Sequence, residues 1–167
     1  MLKLFQSGKK THKMLAKIAL IIFDFDGVFT DNRVIVDETG KEAVICNRSD
    51  GLGVRLLHDR NIAMLILSTE TNPVVAQRAG KLRLECIQGV SDKKAALLSY
   101  CNEKGINIKN VMYVGNDLND YEAMQIVGFP VAPGDAHPKI RALAKTVLYQ
   151  KGGEGAIAEL AERLIWE

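Results

Sequence analysis

The feature that most constrains the fold of this chain is an alternation of short, continuous apolar runs with longer segments of helical period. The apolar runs, rich in Ile, Val and Leu, predict strands at residues 18–23, 63–67, 84–87, 111–114 and 129–132, and a weaker one at 146–149. The helical period predicts helices over residues 50–60, 72–81, 92–104, 118–127, 137–144 and 154–165. Strands that are continuously apolar are typical of a parallel sheet covered by helices on both faces. The pattern therefore predicts an α/β fold with a three-layer, Rossmann-like parallel sheet.

Residues 33–47 interrupt this alternation. They contain two short Val/Ile-rich runs around the sequence Asp37-Glu38-Thr39-Gly40, and a glycine at the end of such a turn is typical of a β-hairpin. The hairpin directly follows the first core strand, where a helix would be expected. We therefore expect a small flap over the carboxyl end of that strand and no large cap domain.

The length and charge of the chain indicate one domain preceded by a basic extension. The chain has 167 residues, within the range of a single compact domain, and no linker or repeat divides it. Its net charge of +2 includes five lysines and no acidic residue in residues 1–17, which leaves residues 18–167 mildly acidic. We expect an N-terminal extension over residues 1–17, and a body over 18–167 without the basic patch of a nucleic-acid-binding protein.

Other features of the sequence concern the cellular compartment. No apolar stretch approaches the roughly 18 residues that a membrane span requires, and the basic N-terminal segment is followed by no small-residue cleavage site. The three cysteines are scattered and form no CxxC pair, which argues against a disulfide framework or a structural zinc site. We therefore expect a protein of the reducing cytoplasm that binds neither membranes nor nucleic acids.

The most informative stretch is DFDGVFTD, residues 24–31, at the end of the first strand. In an extended chain residues two apart point to the same side, so Asp24 and Asp26 converge. Two carboxylates this close stay ionised together only beside a cation or with a shared proton. Gly27 allows a sharp turn and the close approach of a ligand. The alternative is a solvated turn rich in Asp, which the buried run before it disfavours, because that run places both acids at the edge of the sheet.

A second acidic group follows the predicted strand at 111–114. Asn116, Asp117 and Asp120 lie on the turn into the next helix, in the sequence GNDLND. Alone, Asn or Asp in this place is adequately explained as a helix cap. Together with the first acidic pair, however, this strand end supplies the oxygen ligands that Mg²⁺ prefers.

Two further strand ends carry polar residues. The predicted strand at 63–67 is followed by Ser68-Thr69, whose hydroxyls could hold a phosphate oxygen, although Ser and Thr also commonly cap helices. Lys93 and Lys94 stand at the start of a helix, where a cation opposes the helix dipole, and an exposed surface pair is the alternative. Four strand ends thus offer paired carboxylates, a hydroxyl, an ammonium and an acidic turn.

In that order, the four motifs resemble those of the haloacid dehalogenase superfamily of phosphotransferases, over about residues 18–164. The resemblance is to the capless branch, whose members close their sites by oligomerising, typically as tetramers. Within that branch the chain is similar to 3-deoxy-D-manno-octulosonate 8-phosphate phosphatases and nonulosonate (sialic acid) 9-phosphate phosphatases of lipopolysaccharide and sialic acid biosynthesis. It is equally similar to the C-terminal domains of acylneuraminate cytidylyltransferases. The shared motifs are RSDGLG at 48–53, GNDLND at 115–120 and KGGEGA at 151–156.

The resemblance implies a Mg²⁺-dependent phosphatase that assembles as a homotetramer. Asp24 would be the nucleophile that forms an aspartyl-phosphate, and Asp26 would be the general acid and base. Ser68 and Lys93 would hold the phosphoryl oxygens. The metal ligands would be the Asp24 carboxylate, the Asp26 main-chain carbonyl and the first polar residue of the fourth motif, which is Asn116.

One departure from the family pattern bears on activity. The phosphatases usually have Asp at this position of the fourth motif, whereas the amide oxygen of Asn116 can bind Mg²⁺ but carries no charge. Asp117 could contribute to the metal site instead. The cytidylyltransferase domains also tend to have Asn here. The alternative to a phosphatase is therefore a weakly active or non-catalytic oligomerisation partner or module of an acylneuraminate cytidylyltransferase.

A second departure bears on the substrate. Octulosonate phosphatases tend to have Gly-Arg after the hydroxyl of the second motif, whereas this chain has Thr69-Glu70. Glu is common here in the nonulosonate branch, with a lysine about one helix later, and Lys81 fits that pattern. Glu70 and Lys81 would then contact hydroxyl and amide groups of a nine-carbon sugar, and Arg48 or Arg78 its carboxylate. An exposed Glu at a helix start and an unrelated Lys are the alternative.

The motif KGGEGA also differs from the family in its continuation, with Ala158 where Arg is usual. Its glycines are most simply explained as the start of the last helix. By resemblance, they could also reach the site of a neighbouring subunit.

Overall fold

A parallel sheet forms the centre of the computed structural model, which describes residues 15–166; of the predicted basic extension, residues 1–14 lie outside this range. The sheet contains β1 Leu20–Phe23, β4 Ala63–Leu67, β5 Glu85–Ile87, β6 Val111–Val114, β7 Phe129–Ala132 and β8 Thr146–Val147. These six strands lie in the order β5-β4-β1-β6-β7-β8, and every neighbouring pair is parallel. Each apolar run identified in the sequence is a strand, so the predicted sheet is confirmed.

Helices connect the strands. They are α1 Arg48–His58, α2 Val74–Leu82, α3 Lys93–Lys104, α4 Tyr121–Ile126, α5 Pro138–Leu143 and α6 Ala156–Trp166. Helix α1 begins two residues before its predicted start, because the Asn47 side chain accepts a hydrogen bond from the Ser49 N–H and caps it. The segment predicted as one helix over 118–127 begins instead as a 3-10 helix, Leu118–Asp120, with a capping box at its start. Within residues 15–166, no helix has the length and apolar character to cross a membrane.

Alternate strand residues face two separate apolar layers. On one face, Phe23 and Ile66 belong to a buried cluster with residues of α1, α2 and α6. On the other face, Ile22 and Leu65 belong to a cluster with residues of α3, α4 and α5. Because both faces are buried, both sets of side chains must be apolar, which explains the continuous apolar runs in the sequence.

The register of the central strands brings three strand ends to one edge of the sheet. Phe23, the last residue of β1, lies opposite Ile66 of β4 and Val114 of β6. The segments that leave these strands therefore start at the same level and meet at the carboxyl edge. This edge is where open α/β sheets bind their ligands.

The interruption at 33–47 is the predicted antiparallel hairpin. Its strands, β2 Ile35–Val36 and β3 Glu42–Ala43, are both exposed, and the Gly40 N–H donates to the Asp37 carbonyl across the turn. A single bridge between Thr30 and Cys46 connects its base to the body. Among the described residues, no insertion larger than this hairpin covers the sheet edge, which confirms that the fold lacks a large cap domain.

Adjacent leucines of α3 offer a direct test of this packing. Leu97 is 0% exposed, whereas Leu98 is 45% exposed. We expect Leu97→Ala to lower the free energy of unfolding by about 2–5 kcal/mol, because it leaves a cavity between α3 and the sheet. The matched control, Leu98→Ala, should cost less than about 1 kcal/mol. Denaturant unfolding at one protein concentration measures both, and equal losses would contradict the packing described here.

Candidate active site

The carboxyl edge of the sheet holds a cavity of about 400 Å³. Its lining includes most of the predicted site residues, which come from β1, β4, β6 and the turns that follow them: Asp24, Asp26, Asn32, Ser68, Thr69, Asn116, Asp117, Leu118 and Asn119. Lys93 lies beneath this cavity, buried at the start of α3. The structure therefore brings together all four predicted catalytic residues and the predicted metal ligands.

An ion-pair cluster lies at the base of the cavity. The Lys93 Nζ atom is 2.7 Å from Asp24 Oδ1 and 2.7 Å from Asp120 Oδ1, and all three side chains are buried. Burial acts to lower the pKa of the Lys93 ammonium, but the two carboxylates raise it, and the net shift is upward. Contact with two carboxylates explains why a lysine occupies a helix start, where the dipole disfavours a cation.

Asp120 organises this cluster, although the sequence pattern indicated it only as a member of the second acidic group and not as a catalytic or metal-binding residue. Its Oδ1 accepts hydrogen bonds from Lys93 Nζ and the Tyr113 hydroxyl, and its Oδ2 accepts from the backbone N–H groups of Asn116 and Asp117. One buried carboxylate thus fixes both the ammonium and the turn after β6. The available signal was the Asp117-x-x-Asp120 spacing of a capping box.

The pKa of Asp24 is strongly shifted. Burial raises it from the ordinary value of 3.8 to about 8, and the charge of Asp120 adds to this shift, while Lys93 opposes it. The backbone N–H of Phe25 also donates to Asp24 Oδ1 at 2.7 Å. Two buried carboxyl groups therefore share a single buried ammonium, and they carry more negative than positive charge only when both are ionised.

Asp26 is held in a different environment. It is half-buried, and the Thr30 hydroxyl donates a hydrogen bond to its Oδ1 at 3.2 Å. The same hydroxyl oxygen accepts from the Gly27 N–H, so Thr30 links the Asp26 side chain to the turn. Burial raises the pKa of Asp26, and the Thr30 hydrogen bond opposes that rise. A carboxyl group whose pKa is raised keeps its proton to a higher pH than an exposed carboxyl group and can donate it.

Asn116 packs closely against the turn formed by residues 24–31, which we call the catalytic turn. Gly27 has a φ of +77°, and a Cβ atom at this position would overlap the Asn116 amide group, so only glycine fits. The Oδ1 atom of Asn116 is buried and accepts no hydrogen bond within the described part of the chain. Such an unpaired buried oxygen is costly unless something binds it.

The donor set suits a hard cation. Within residues 15–166, no group of three or more His, Cys, Asp or Glu side chains is placed to hold a metal ion, so a metal here would need mixed oxygen ligands. The family resemblance implies such a set in the Asp24 carboxylate, the Asp26 main-chain carbonyl and Asn116 Oδ1, and the buried, unpaired Asn116 Oδ1 fits it. Asp117 lines the same cavity, but its Oδ1 caps the 3-10 helix by accepting from the Leu118 N–H.

The remaining polar residues of the second motif have separate environments. Ser68 is buried, and its Oγ accepts from the Glu70 N–H at 3.1 Å, which orients the hydroxyl. Thr69 is exposed at the cavity rim. Glu70 lines an adjoining cavity of about 220 Å³, shared with Asp26 and with Glu42 of the hairpin. This second cavity extends from Asp26 towards the flap.

The structure places three predicted substrate-binding residues in neither of these two cavities. Lys81, near the end of α2, lines a separate cavity of about 660 Å³ beside α1. Arg78 donates from Nη2 to the Asn47 carbonyl at 3.0 Å, and Arg48 is exposed at the start of α1. Lys81 lies seven positions after Val74, the first residue of α2, which is about 10 Å along the helix axis. Within one chain, Glu70 and Lys81 therefore line different cavities.

The sequence is similar to those of known proteins. The sequence profile of the haloacid dehalogenase-like hydrolase family matches residues 63–160. The 3-deoxy-D-manno-octulosonate 8-phosphate phosphatase KdsC of Salmonella typhi is 35% identical over 158 residues, which cover 93% of this chain and 84% of that protein.

Solved structures are similar over most of the chain. A protein from Streptomyces avermitilis, described as a HAD family hydrolase, has 46% identity and a TM-score of 0.87, covering 89% of this chain and 86% of that one. The 3-deoxy-D-manno-octulosonate 8-phosphate phosphatase of Moraxella catarrhalis has 28% identity and a TM-score of 0.89, covering 95% and 92%. The Moraxella structure is a complex with a magnesium ion, a phosphate ion and a KDO molecule.

The raised pKa of Asp24 predicts a pH dependence of stability in the absence of metal. The folded state keeps a proton on Asp24 up to about pH 8, whereas the unfolded state releases it near the ordinary pKa of 3.8. The free energy of unfolding should therefore fall as the pH rises between these values. We expect Asp24→Asn to lack this contribution, so that the variant gains stability relative to the wild type with rising pH. Denaturant unfolding of both proteins in chelator measures the difference, and a pH-independent difference would contradict the assignment.

Proposed function

The chain belongs to the haloacid dehalogenase-like hydrolases and is a phosphatase, and from this premise we propose that it releases phosphate from an acidic sugar phosphate with the help of Mg²⁺. The observation that carries the proposal is the buried Asp24–Lys93 pair at the sheet edge, with half-buried Asp26 beside it. This arrangement places a nucleophile, a cation and a proton donor around one cavity.

Asp24 and Asp26 would act in two successive steps. In the first, a carboxylate oxygen of Asp24 attacks phosphorus, the bond from phosphorus to the sugar oxygen breaks, and Asp26 gives its proton to that oxygen. In the second, Asp26 takes a proton from water as the water attacks the aspartyl-phosphate, which frees phosphate and restores Asp24. The raised pKa of Asp26 suits it to both proton transfers.

Lys93 and Ser68 would hold the phosphoryl group. The ammonium of Lys93 already contacts the Asp24 oxygen at 2.7 Å, so a phosphoryl group bound at Asp24 would lie within its reach. The Ser68 hydroxyl accepts from the Glu70 N–H and keeps its own proton for a phosphoryl oxygen. Both residues supply positive potential where negative charge develops in the transition state.

Charge balance supports the participation of Mg²⁺. The Asp24 carboxylate, the Asp26 main-chain carbonyl and Asn116 Oδ1 would hold the ion, with Asp117 available at the rim. When bound, Mg²⁺ offsets the negative charge of the carboxylates and of the substrate phosphate. The single ammonium of Lys93 cannot do so alone, because Asp120 also contacts it.

The family resemblance and the exposed hairpin support assembly of the chain into a closed oligomer, for which we propose a homotetramer. Lys81 and Glu70 line different cavities in one chain, so a Lys81 that contacts a substrate beside Glu70 would belong to another copy. The hairpin also exposes Val34, Ile35, Val36 and Ile45 to between 51% and 61%. An exposed apolar cluster of this kind is typical of a surface that another protein chain covers.

Two sugars are the leading substrate candidates. The similarity to octulosonate 8-phosphate phosphatases favours 3-deoxy-D-manno-octulosonate 8-phosphate. The presence of Glu70 where those enzymes tend to have arginine favours a nonulosonate 9-phosphate. Glu70 Oε1 accepts from the N–H groups of Thr71 and Asn72, so its orientation is fixed beside the adjoining cavity.

The chemical proposal is tested by removing the nucleophile and the metal. We expect Asp24→Asn to lower phosphate release by at least about 10³-fold, because an amide cannot form the aspartyl-phosphate. Chelation should abolish turnover, and Mg²⁺ should restore it. The matched control is Asp31→Asn, an acid of the same DFDGVFTD segment that does not line the cavity. Full activity in Asp24→Asn, or in chelator, would contradict the mechanism.

A mixing experiment tests the contribution of Lys81 from a second copy. We expect Asp24→Asn and Lys81→Ala each to be poorly active with a sugar phosphate, and their co-expressed mixture to recover about a quarter of wild-type activity. Random assembly brings an intact Asp24 and an intact Lys81 to the same site in about one case in four. Light scattering would measure the oligomer size. Activity of the mixture no greater than the mean of the two variants would contradict a site shared between copies.

A panel of acidic sugar phosphates, assayed with and without Mg²⁺, identifies the substrate. We expect turnover of an octulosonate or nonulosonate phosphate to exceed that of glucose 6-phosphate by at least about tenfold in kcat/KM, because a recognised carboxylate contributes binding energy.

The association with an acylneuraminate cytidylyltransferase stays a prediction. Robust turnover by the isolated chain would remove the need for a role as a non-catalytic module.

A further inference from the structure

A buried carboxylate far along the chain from the catalytic turn is not used by the mechanism above. Asp50, in the first turn of α1, is fully buried, and its Oδ1 accepts from the backbone N–H groups of Ile157 at 3.0 Å and Ala158 at 3.1 Å. These groups belong to the first turn of α6, whose N–H groups have no partner within their own helix. A carboxylate at this end also interacts favourably with the helix dipole. Asp50 therefore fixes the start of α6 against α1.

The segment just before α6 packs directly on the catalytic turn. A Cβ atom at Gly152 would overlap the Gly27 carbonyl oxygen, and one at Gly153 would lie 2.5 Å from the Asp31 nitrogen. The Gly153 N–H donates to the Val28 carbonyl at 3.0 Å. Backbone lies against backbone here, so a displacement of residues 151–155 must displace the turn.

The opposite side of the same turn holds Asp26. Thr30 donates to Asp26 Oδ1 and accepts from the Gly27 N–H, so the side chain of Asp26 follows the turn. A second carboxylate fixes the glycine segment from outside: Asp135 Oδ1 accepts from the Gly152 N–H at 3.0 Å. A continuous series of contacts thus runs from Asp50 through α6 and residues 151–155 to Asp26.

We propose that Asp50 is a positioning residue for the proton-transfer step: by holding the start of α6, it sets the position of residues 151–155 and, through the catalytic turn, of the Asp26 carboxyl. The inference rests on the proposed function, in which Asp26 protonates the leaving oxygen. The inference gives the shared motifs RSDGLG and KGGEGA a common role. RSDGLG supplies the Asp50 carboxylate, and KGGEGA supplies the segment whose position Asp50 sets through the start of α6. Asp135 has the same role at the other end of the segment.

Substrates with different leaving groups distinguish an effect of Asp50 on the position of the Asp26 carboxyl from an effect on the stability of the fold alone. A sugar alkoxide must be protonated as it departs, whereas p-nitrophenolate departs without a proton. We expect Asp50→Ala to lower kcat/KM at least about tenfold more for the best sugar phosphate of the panel than for p-nitrophenyl phosphate, because kcat/KM reports only the steps up to departure of the leaving group and not the hydrolysis of the aspartyl-phosphate that both substrates share. Asp50→Asn keeps an acceptor oxygen for both N–H groups and should keep the wild-type ratio of the two activities.

Two control variants separate a loss of stability from a loss of proton transfer by Asp26. Leu160→Ala removes a buried side chain of the same helix without touching its N-terminus, and should lower stability while changing both activities of the folded protein by the same factor. Asp26→Ala should show the selective loss for sugar phosphates in its strongest form. If Asp26→Ala shows no selective loss, the proposed role of Asp26 is wrong, and the inference about Asp50 is overturned together with it.

If Asp26→Ala shows the selective loss and Asp50→Ala does not, only the inference is overturned. Asp135 is exposed, so Asp135→Ala provides a second variant should Asp50→Ala not fold. It should show the same selective loss in a weaker form, because it frees one end of the segment. Equal losses for both substrates in the folded variant would overturn the proposal.

Discussion

The contact of one buried ammonium with two buried carboxylates is the interaction on which the rest of the site depends. Lys93 joins the end of β1, through Asp24, to the turn after β6, through Asp120. Removing one member of such a cluster leaves the others buried without full compensation, so the three residues fix one another. When both carboxylates are ionised, the cluster carries an excess of negative charge at the base of the cavity, and the proposed Mg²⁺ would offset that charge when a phosphate binds.

The same cluster determines the positions of its neighbours. Because Asp120 Oδ2 accepts from the N–H groups of Asn116 and Asp117, it fixes the turn that carries the Asn116 side chain. That side chain packs against Gly27, and residues 152 and 153 pack against the other side of the same turn. The catalytic turn is therefore enclosed by backbone and amide groups rather than by mobile side chains. Such close packing limits the displacement of Asp24 and Asp26, as the proposed nucleophilic and acid–base roles of these two residues require.

Much of the fold and of the site could be predicted from the sequence, because the responsible signals are local. Continuous apolar runs identify buried parallel strands, and the strand ends identify Asp24, Asp26, Ser68 and Asn116. Asp120 was missed as a site residue because its role depends on a contact with Lys93, 27 residues away. Lys81 shows the opposite error, in which the sequence predicts a contact that the structure does not contain. Its spacing from Glu70 fits a family pattern, but the two residues line different cavities of one chain. Contacts of Asp50 with a helix more than 100 residues later have no periodic signal at all.

The central claim is that Asp24 carries the phosphoryl group during turnover. The most direct measurement is an acid quench of the enzyme during hydrolysis of a radiolabelled sugar phosphate in Mg²⁺, followed by peptide mapping. The account predicts label on the peptide that contains Asp24, released by hydroxylamine as expected for an acyl phosphate, and no label in Asp24→Asn. A wild-type enzyme that turns over in single-turnover rapid-quench experiments without any labelled protein, or an Asp24→Asn variant that becomes labelled to the same extent, would contradict it.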